Sequence, residues 1–280
     1  MADFDTIGAA LSYGATRLDG SPTARRDAEL LLIHALGLDR AYLLTHPEAR
    51  LTSKQTATYE ELVARRVRHE PIQYISGEQE FFGLKFRVTP DVLIPRPETE
   101  HLVEAALARL EREASARIAD IGTGSGVIAA ALAHALPRAQ VTALDISTAA
   151  LAVARSNAMR HHVSDRIRFV ESDLLEAVAG ESFDMIVSNP PYVAEGEVLE
   201  PQVRDYEPAT ALFAGAEGLD IYRRLIPQAR TVLKPDGWLL LEIGHGQRDA
   251  LAQLLAGWNE VSFIDDLQGI PRAACAERPE

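Results

Sequence analysis

The sequence predicts an α/β fold: a mostly parallel sheet wrapped by helices, with an antiparallel edge hairpin and a small helical part in front. Strand and helix patterns alternate from residue 117 onward, which is typical of parallel sheets. Before that point the chain has helical periodicity with capping residues. We therefore expect an N-terminal helical domain at 1–72, a β-hairpin linker at 73–95 and a sheet domain at 96–280.

The composition narrows the class of protein. The chain has 280 residues, 47% of them hydrophobic, and a formal net charge of −13. An acidic protein is poorly suited to gripping a long phosphate backbone, which requires Lys and Arg. Cys275 is the single cysteine and excludes an intramolecular disulfide. The acidic N-terminus lacks the cations of a signal peptide, and no run reaches the ~18 apolar residues of a membrane span. We expect a soluble, cytoplasmic protein.

The N-terminal part reads as helices. "SPTARRDAELLLIHALGL" has Ser21 as the expected N-cap and Pro22 at the first helical position. "TSKQTATYEELVARRVRHE" has Thr52 or Ser53 as its expected cap. Aromatic and β-branched residues around Gly83 then predict a β-hairpin.

The remaining chain reads as alternating elements. A helix is expected to begin near Pro97, with Glu98 and Glu100 in its first turn, where acids are favourable. Later helices are expected in "GVIAAALAHAL" and "TAALAVARSNAMRH". Strands are expected in "RIADIG", "AQVTALDIS", "IRFVESD", "FDMIVSNPP" and "GWLLLEIG", and two edge strands in "VSFIDDLQGIPRAACAER".

Polar residues follow four successive predicted strands. They are Asp120, Asp145, Asp173 and Asn189, which we expect at the strand ends. Ligands of open parallel sheets bind outside the carboxyl ends of the strands. We therefore expect these four side chains to converge on one binding site.

A glycine loop follows the first of these strands. Its residues are Gly122, Thr123, Gly124, Ser125 and Gly126. Glycine lets backbone approach a ligand closely, and the free N–H groups of the following helix favour an anion. The third glycine comes one residue earlier than in the G-x-G-x-x-G dinucleotide fingerprint, which disfavours a pyrophosphate. Alone, the loop is also compatible with a tight structural turn.

Two acids complete the expected cofactor site. Asp145 lies 23 positions after Gly122 and can accept bonds from both ribose hydroxyls; it can also serve as a helix N-cap. Asp173 can bond an adenine amino group with Leu174 packed on the ring, or be a turn or cap residue. An adenine nucleoside with a negative tail and no diphosphate suits these sites, and S-adenosylmethionine fits that description.

"NPPY", residues 189–192, predicts an amide- or amine-binding corner. Pro190 and Pro191 lack N–H groups, so the side-chain oxygen of Asn189 and the carbonyl of Pro190 form a pair of acceptors. Such a pair can hold both hydrogens of an –NH2 group and aim its nitrogen at a methyl donor. Tyr192 can stack on a planar amide or base. A surface turn is the alternative interpretation of this stretch.

These motifs resemble the class I S-adenosylmethionine-dependent methyltransferases, which have a Rossmann-like sheet. "ARRDAELLLIHALG", "RRVRHEPIQYISGEQEFFG", "LIPRPETE", "IVSNPPYV" and "VRDYEPATALFAGAEGLDIYRRLI" narrow the similarity to the bacterial release factor glutamine methyltransferases (the HemK/PrmC family). The resemblance implies methylation of the glutamine of the Gly-Gly-Gln motif in class 1 release factors, at the side-chain amide nitrogen, with S-adenosylhomocysteine as the product.

The resemblance also implies roles for individual residues. Cofactor contacts are implied for the 122–126 loop, Asp145, Asp173, Leu174 and Asn189, and substrate contacts for residues 189–192, of which Asn189, Pro190 and Tyr192 are the implied catalytic residues. The N-terminal helices are implied to dock the release factor. Candidates for shaping the pocket are Arg96, Glu98, Phe81 and Phe82, the last two also expected in the core.

Other functions are compatible with parts of the pattern. A nucleic-acid methyltransferase acting on adenine N6 or cytosine N4 also uses "NPPY", but it requires a basic channel. The glycine spacing disfavours an NAD oxidoreductase, and the complete set of strand-end residues disfavours a binding module with a decayed site. His161 and His162 do not have metal-ligand spacing, so no metal is expected. We expect a monomer without a stable nucleic-acid complex.

Overall fold

The protein divides into two compact units. The computed structural model describes residues 4–280. The first unit contains the chain up to Glu78 and the segment Leu199–Tyr206, and the second contains Gln79–Val198 and Glu207–Glu280. Sequence patterns did not predict that residues 199–206 belong to the first unit. The domain borders at 72 and 95 stay predictions.

Five helices form most of the first unit. Its core contains Tyr59, Leu31, Leu32 and Ile7, all 1% exposed or less. The hydroxyl of Tyr59 donates to the carbonyl of Ala28 (3.2 Å), so this buried phenol is satisfied. The helices are α1 (Ile7–Arg17), α2 (Ala24–Leu36), α3 (Arg40–Thr45), α4 (Ser53–Val67) and α5 (Ile72–Ser76).

The predicted start of α2 is wrong, whereas the Thr52 cap of α4 is confirmed. Helix α2 begins at Ala24 with Thr23 as its N-cap. The hydroxyl of Ser21 accepts the Thr23 N–H (3.2 Å), and the Thr23 hydroxyl donates to Asp27 (2.9 Å). These local bonds hold the segment in a turn, because Ser and Thr hydroxyls compete with helical backbone bonds. Thr52 forms a complete capping box in α4.

A seven-stranded sheet forms the centre of the second unit. Its order is β5-β4-β3-β6-β7-β9-β8, in which the first five strands are parallel and β9 is antiparallel to both neighbours. A separate two-stranded sheet, β1-β2, is also present. The predicted mostly parallel sheet with an antiparallel edge is confirmed. The strands are β1 (Glu78–Phe81), β2 (Leu84–Arg87), β3 (Arg117–Ile121), β4 (Gln140–Asp145), β5 (Ile167–Glu171), β6 (Phe183–Ser188), β7 (Leu233–Glu242), β8 (Asn259–Asp265) and β9 (Pro271–Glu277).

Helices cover both faces of this sheet. Successive residues of β3 alternate between two apolar clusters: Ile118 belongs to one, and Ala119 and Ile121 belong to the other. This alternation follows from the two-residue period of a strand. Because the central strands are buried on both faces of the sheet, their sequences are almost continuously apolar. The helices of the remaining chain are α6 (Glu100–Leu107), α7 (Val127–Ala135), α8 (Thr148–Arg160), α9 (Pro201–Arg204), α10 (Asp220–Val232) and α11 (Arg248–Leu254).

Segment 199–206, which includes α9, bonds to α4 and the turn after it. Gln202 accepts from the Arg66 guanidinium (3.1 Å), and the Tyr206 hydroxyl donates to the carbonyl of Arg68 (2.8 Å). The same Arg66 pairs with the buried carboxylate of Asp27 (2.8 Å).

Within residues 4–280, none of the helices is long and apolar enough to cross a bilayer. The expectation about a signal peptide rests partly on residues 1–3, which lie outside the described residues.

Candidate active site

A cavity of about 370 Å³ lies at the carboxyl ends of the parallel strands. Most of the predicted site residues line it. Three of them, Asp120, Gly126 and Tyr192, do not belong to the described residues that line this cavity, so the expectation that Asp120 faces the site is wrong. The predicted residues in its wall are Gly122, Thr123, Gly124, Ser125, Asp145, Asp173, Leu174, Asn189, Pro190 and Pro191.

Asp145 holds the glycine loop against the end of β4. One carboxyl oxygen accepts the Gly124 N–H (2.8 Å), and the other accepts the Ser147 N–H (2.9 Å). Burial raises the pKa of Asp145 above its ordinary value, and these two bonds oppose the rise. The cap of α8 is Ser147, so the N-cap interpretation of Asp145 is wrong. A carboxylate offers about four acceptor positions, so lone pairs remain for a ligand.

Gly126 serves the geometry of the loop. Its φ is +79°, and a Cβ there would lie 2.9 Å from the Cβ of Ala154 on α8. It therefore allows α7 to begin close to α8. Asn157, which the sequence analysis missed, donates to the carbonyls of Ser125 (2.8 Å) and Arg87 (2.9 Å). This fully buried amide ties the loop to strand β2.

Asp173 and Leu174 lie beyond the end of β5, which stops at Glu171. The expectation that a strand ends on Asp173 is therefore wrong by two residues. The Asp173 carboxylate pairs with the Arg224 guanidinium (2.6 Å), and both side chains are part-exposed. Leu174 has a φ of +51°, an uncommon conformation for leucine. Arg224 and Leu174 both line the cavity.

The "NPPY" segment is anchored at several points. The hydroxyl of Ser188, the last residue of β6, donates to the carbonyl of Ile121 (2.8 Å). The side-chain N–H of Asn189 donates to the hydroxyl of Thr99 (3.1 Å). The carbonyl of Tyr192 accepts from the Gln247 amide (3.0 Å). These bonds fix the segment where it meets the cavity.

Thr99 and Glu242 are buried polar residues that the sequence analysis also missed. Each is 2% exposed. The Thr99 hydroxyl donates to one carboxyl oxygen of Glu242 (2.6 Å), and the Tyr192 hydroxyl donates to the other (3.3 Å). Burial raises the pKa of Glu242 to about 7, and the bonds from Thr99 and Tyr192 oppose that rise. Glu242 is the last residue of β7, which corresponds to the fifth strand expected from the sequence. A search for a polar residue at the end of that strand, as was made for the first four, would have identified it.

Asp120 is a second buried carboxyl near the glycine loop. One oxygen accepts the Thr123 hydroxyl (2.6 Å) and the Ala129 N–H (3.1 Å). The other oxygen has no partner among the described residues. Burial raises the pKa of Asp120 from 3.8 to about 7. Asp120 does not line the cavity; it stabilises the glycine loop by accepting the Thr123 hydroxyl.

Residues before α6 shape one side of the site. Arg96 pairs with the buried carboxylate of Glu207 (2.5 Å), which also accepts the Ile94 N–H (3.1 Å). Pro95 and Pro208, their chain neighbours, line the cavity. Phe81 is 1% exposed within an apolar cluster. Its core position is therefore confirmed, whereas a role of Arg96 or Glu98 in ligand binding stays a prediction.

Comparison with known proteins identifies two matching families. The PrmC N-terminal domain family matches residues 9–77, and the methyltransferase small domain family matches residues 99–205. A release factor glutamine methyltransferase of Koribacter versatilis is 50% identical over 92% of this chain and 93% of its own length. One of Geobacter sulfurreducens is 46% identical over 90% of this chain and 89% of its own length.

Solved structures support the fold. The T. Thermophilus 16S rRNA N2 G1207 methyltransferase, in complex with AdoMet and guanosine, has a TM-score of 0.55 at 20% identity, covering 72% of this chain and 49% of that one. A ribosomal protein L11 methylase of Lactobacillus delbrueckii has a TM-score of 0.50 at 24% identity, covering 72% and 90%. At these identities the likeness concerns the fold alone, and it confirms the predicted class I methyltransferase sheet.

Proposed function

Because this chain belongs to the release factor glutamine methyltransferase family, we propose that the cavity beside the glycine loop is its catalytic site. The protein is an S-adenosylmethionine-dependent enzyme that methylates the side-chain amide nitrogen of a release factor glutamine. The observation that supports the location best is that the glycine loop and residues 189–191 line one cavity. A cofactor and a substrate amide can therefore meet there.

The wall of the cavity fits the cofactor. The acceptor positions that Asp145 has left after bonding Gly124 and Ser147 suit two ribose hydroxyls. Leu174 offers an apolar surface to the adenine ring, and Asp173, turned toward Arg224, lies next to it. The glycine loop offers backbone to the amino acid end. Bound S-adenosylmethionine supplies an electrophilic methyl group on its sulfonium.

Asn189 and Pro190 are proposed to hold the substrate amide. The oxygen of the Asn189 side chain and the carbonyl of Pro190 accept its two N–H bonds. An amide nitrogen is a weak nucleophile because its lone pair is delocalised. Acceptors on both hydrogens favour the pyramidal nitrogen and stabilise the positive charge that develops there. Fixed orientation can lower the barrier by roughly 7–11 kcal/mol. Pro191 stiffens the corner, and Tyr192 supports it through Glu242.

We propose that the helical unit recognises the release factor. A groove in this unit is lined by the arginines and apolar residues of α2 and α3, together with the turn before α2. Leu30 and Leu44 are 39% and 54% exposed there, which suits contact with another protein. We call it the helical-unit groove, formed by Pro22, Thr23, Arg25, Arg26, Glu29, Leu30, Ile33, Arg40 and Leu44.

Finer aspects of the function are also proposals. We take the substrate residue to be the glutamine of the Gly-Gly-Gln motif in class 1 release factors. The enzyme is proposed to act as a monomer in the cytoplasm, where release factors work, without a stable nucleic-acid complex. The net charge of −13 supports the last point, since it repels phosphate backbones.

Asn189→Ala tests the proposed site. Loss of one acceptor that stabilises developing charge is expected to lower kcat by about 10²–10³-fold, with the fold retained. The assay incubates the enzyme with labelled S-adenosylmethionine, release factor and nucleic acid, and maps the label by mass spectrometry. Near-parental turnover in this variant would refute the role of Asn189. Label on a nucleobase instead of glutamine would favour the nucleic-acid alternative.

A further inference from the structure

One side chain, that of Thr99, connects Asn189 to the buried carboxylate of Glu242. Asn189 donates through its amide N–H to Thr99 (3.1 Å), and Thr99 donates through its hydroxyl to Glu242 (2.6 Å). Thr99 and Glu242 are each 2% exposed, so the bond between these two side chains is shielded from water. This series of hydrogen bonds therefore links Asn189, in the cavity wall, to Glu242, which does not line the cavity.

The direction of the hydrogens in this chain has a consequence for Asn189. A hydroxyl carries one hydrogen, and Thr99 gives its hydrogen to Glu242. Its oxygen can then only accept, so it selects the –NH2 end of Asn189. A reversed amide would place its oxygen against the Thr99 lone pairs. The amide oxygen is thus turned away from Thr99.

We propose that Glu242 is a positioning residue that acts through Thr99 to fix which end of the Asn189 amide faces the substrate. The inference rests on the proposed function, in which the Asn189 oxygen accepts a substrate N–H. Ionised Glu242 accepts from Thr99 and sets this orientation. When Glu242 is protonated, it can donate to the Thr99 hydroxyl oxygen. Thr99 can then donate its own hydrogen to Asn189, which allows the reversed amide, with its oxygen facing Thr99.

The surroundings of Glu242 support titration near neutrality. Burial is the largest effect and raises its pKa to about 7, and the negative charge of Glu98 adds to the rise. The bonds from Thr99 and Tyr192 and the positive charge of Arg272 on β9 oppose it. Tyr222 on α10 donates to the Glu242 backbone carbonyl (2.8 Å), and burial raises its pKa well above 10, so it stays neutral. We expect kcat to rise with pH as Glu242 ionises. The positive sulfonium favours ionisation and shifts this rise toward lower pH.

Matched substitutions at Thr99 separate positioning from packing. Thr99→Val keeps the shape and removes the hydroxyl, whereas Thr99→Ser keeps the hydroxyl. Glu242→Gln removes the charge at nearly constant volume. Thr142→Val is the control for the same chemical change, because Thr142 is a buried threonine on β4 outside the cavity wall. Tryptophan fluorescence and melting curves establish that each variant is folded.

The experiment measures kcat across pH, the Kd of S-adenosylmethionine by calorimetry, and exchange of the Asn189 side-chain N–H groups by NMR. Thr99→Val is expected to lower kcat by about 10–100-fold and to change the Kd by less than about threefold. Thr99→Val and Glu242→Gln are both expected to lose the dependence of kcat on pH. Thr99→Ser should recover most of the loss. The Asn189 N–H signals, identified by their absence in Asn189→Ala, should exchange faster in Thr99→Val.

Three outcomes overturn the inference. Parental kcat in Thr99→Val, or an unchanged pH dependence of kcat in Glu242→Gln, with Asn189→Ala inactive, would refute positioning while leaving the proposed function in place. A loss of cofactor affinity parallel to the loss of kcat would assign Thr99 and Glu242 a purely structural role. Parental turnover in Asn189→Ala would refute the proposed function and this inference with it.

Discussion

Replacing Asp120 by Asn should change how the stability of the second unit depends on pH. Asp120 is completely buried, and one of its oxygens has no partner among the described residues. The isosteric amide keeps an oxygen for the bonds from Thr123 and Ala129 and removes the titration. Its –NH2 group takes the unpartnered position, which costs about 1–3 kcal/mol at every pH.

The magnitude follows from the shift in pKa. Burial raises the pKa of Asp120 from 3.8 to about 7, so the folded state holds the proton more tightly than the unfolded state. This contribution to stability is present below pH 3.8 and is lost as the pH rises through about 7. About 1.4 kcal/mol per pKa unit gives about 4 kcal/mol in all. Roughly 2–3 kcal/mol of it lies between about pH 5 and pH 8.

Denaturant unfolding followed by tryptophan fluorescence measures this effect. The chain has two tryptophans, Trp238 and Trp258, both in the same unit as Asp120. The free energy of unfolding of Asp120→Asn, relative to the parent, should increase by roughly 2–3 kcal/mol between about pH 5 and pH 8. The titration of Glu242 is common to both proteins and cancels in the difference. A difference that stays constant within about 0.5 kcal/mol over this range would refute the reasoning.

Two further substitutions test the glycine loop and the helical-unit groove. Gly126→Ala should destabilise the second unit by about 2–4 kcal/mol, because it combines a left-handed φ of +79° with a Cβ 2.9 Å from Ala154, and it should weaken cofactor binding measured by calorimetry. Leu44→Asp, at a position 54% exposed in the groove, should raise the KM for the release factor by about tenfold while the Kd of S-adenosylmethionine stays unchanged.

Each of these substitutions has a matched control. Gly180 has a φ of +88° and open space around its Cβ position, so Gly180→Ala isolates the backbone strain. Equal destabilisation by the two alanines would contradict the close contact with Ala154. Leu267 is fully exposed in the second unit. Leu267→Asp should leave both the KM for the release factor and the Kd of S-adenosylmethionine unchanged. A KM for Leu44→Asp equal to that of the parent would remove the groove from substrate recognition.

Local patterns were sufficient to predict the sheet and the residues at the strand ends that line the cavity, among them the glycine loop, Asp145 and Asn189. The strands before Asp145 and Asn189 are short apolar runs followed by polar residues, and parallel strands place such ends at one edge. The same rule missed Glu242 because it was applied to four strands and not to the fifth. Glu242 also follows an apolar run, "LLLE", so the signal was present in the sequence.

Long-range polar contacts could not be predicted in this way. Thr99 and Glu242 are 143 positions apart, and Asn157 and Ser125 are 32 apart. A single threonine or asparagine in a helix pattern has the same local signature whether it faces water or a buried carboxylate. The membership of residues 199–206 in the helical unit depends on Gln202 and Tyr206 meeting distant partners, which no local period encodes.

Burial of Glu242 has opposite consequences for stability and for the proposed chemistry. Its pKa is raised to about 7, so its contribution to stability, like that of Asp120, is lost as the pH rises through this value. Positioning of Asn189 through Thr99 requires the ionised form, which is the less stable one. The bond from Thr99 lowers the pKa of Glu242 and so makes the ionised form accessible near neutrality. An apolar side chain in place of Glu242 would avoid the cost of a buried charge, but it would leave the Thr99 hydroxyl without its acceptor and the Asn189 amide without a fixed orientation.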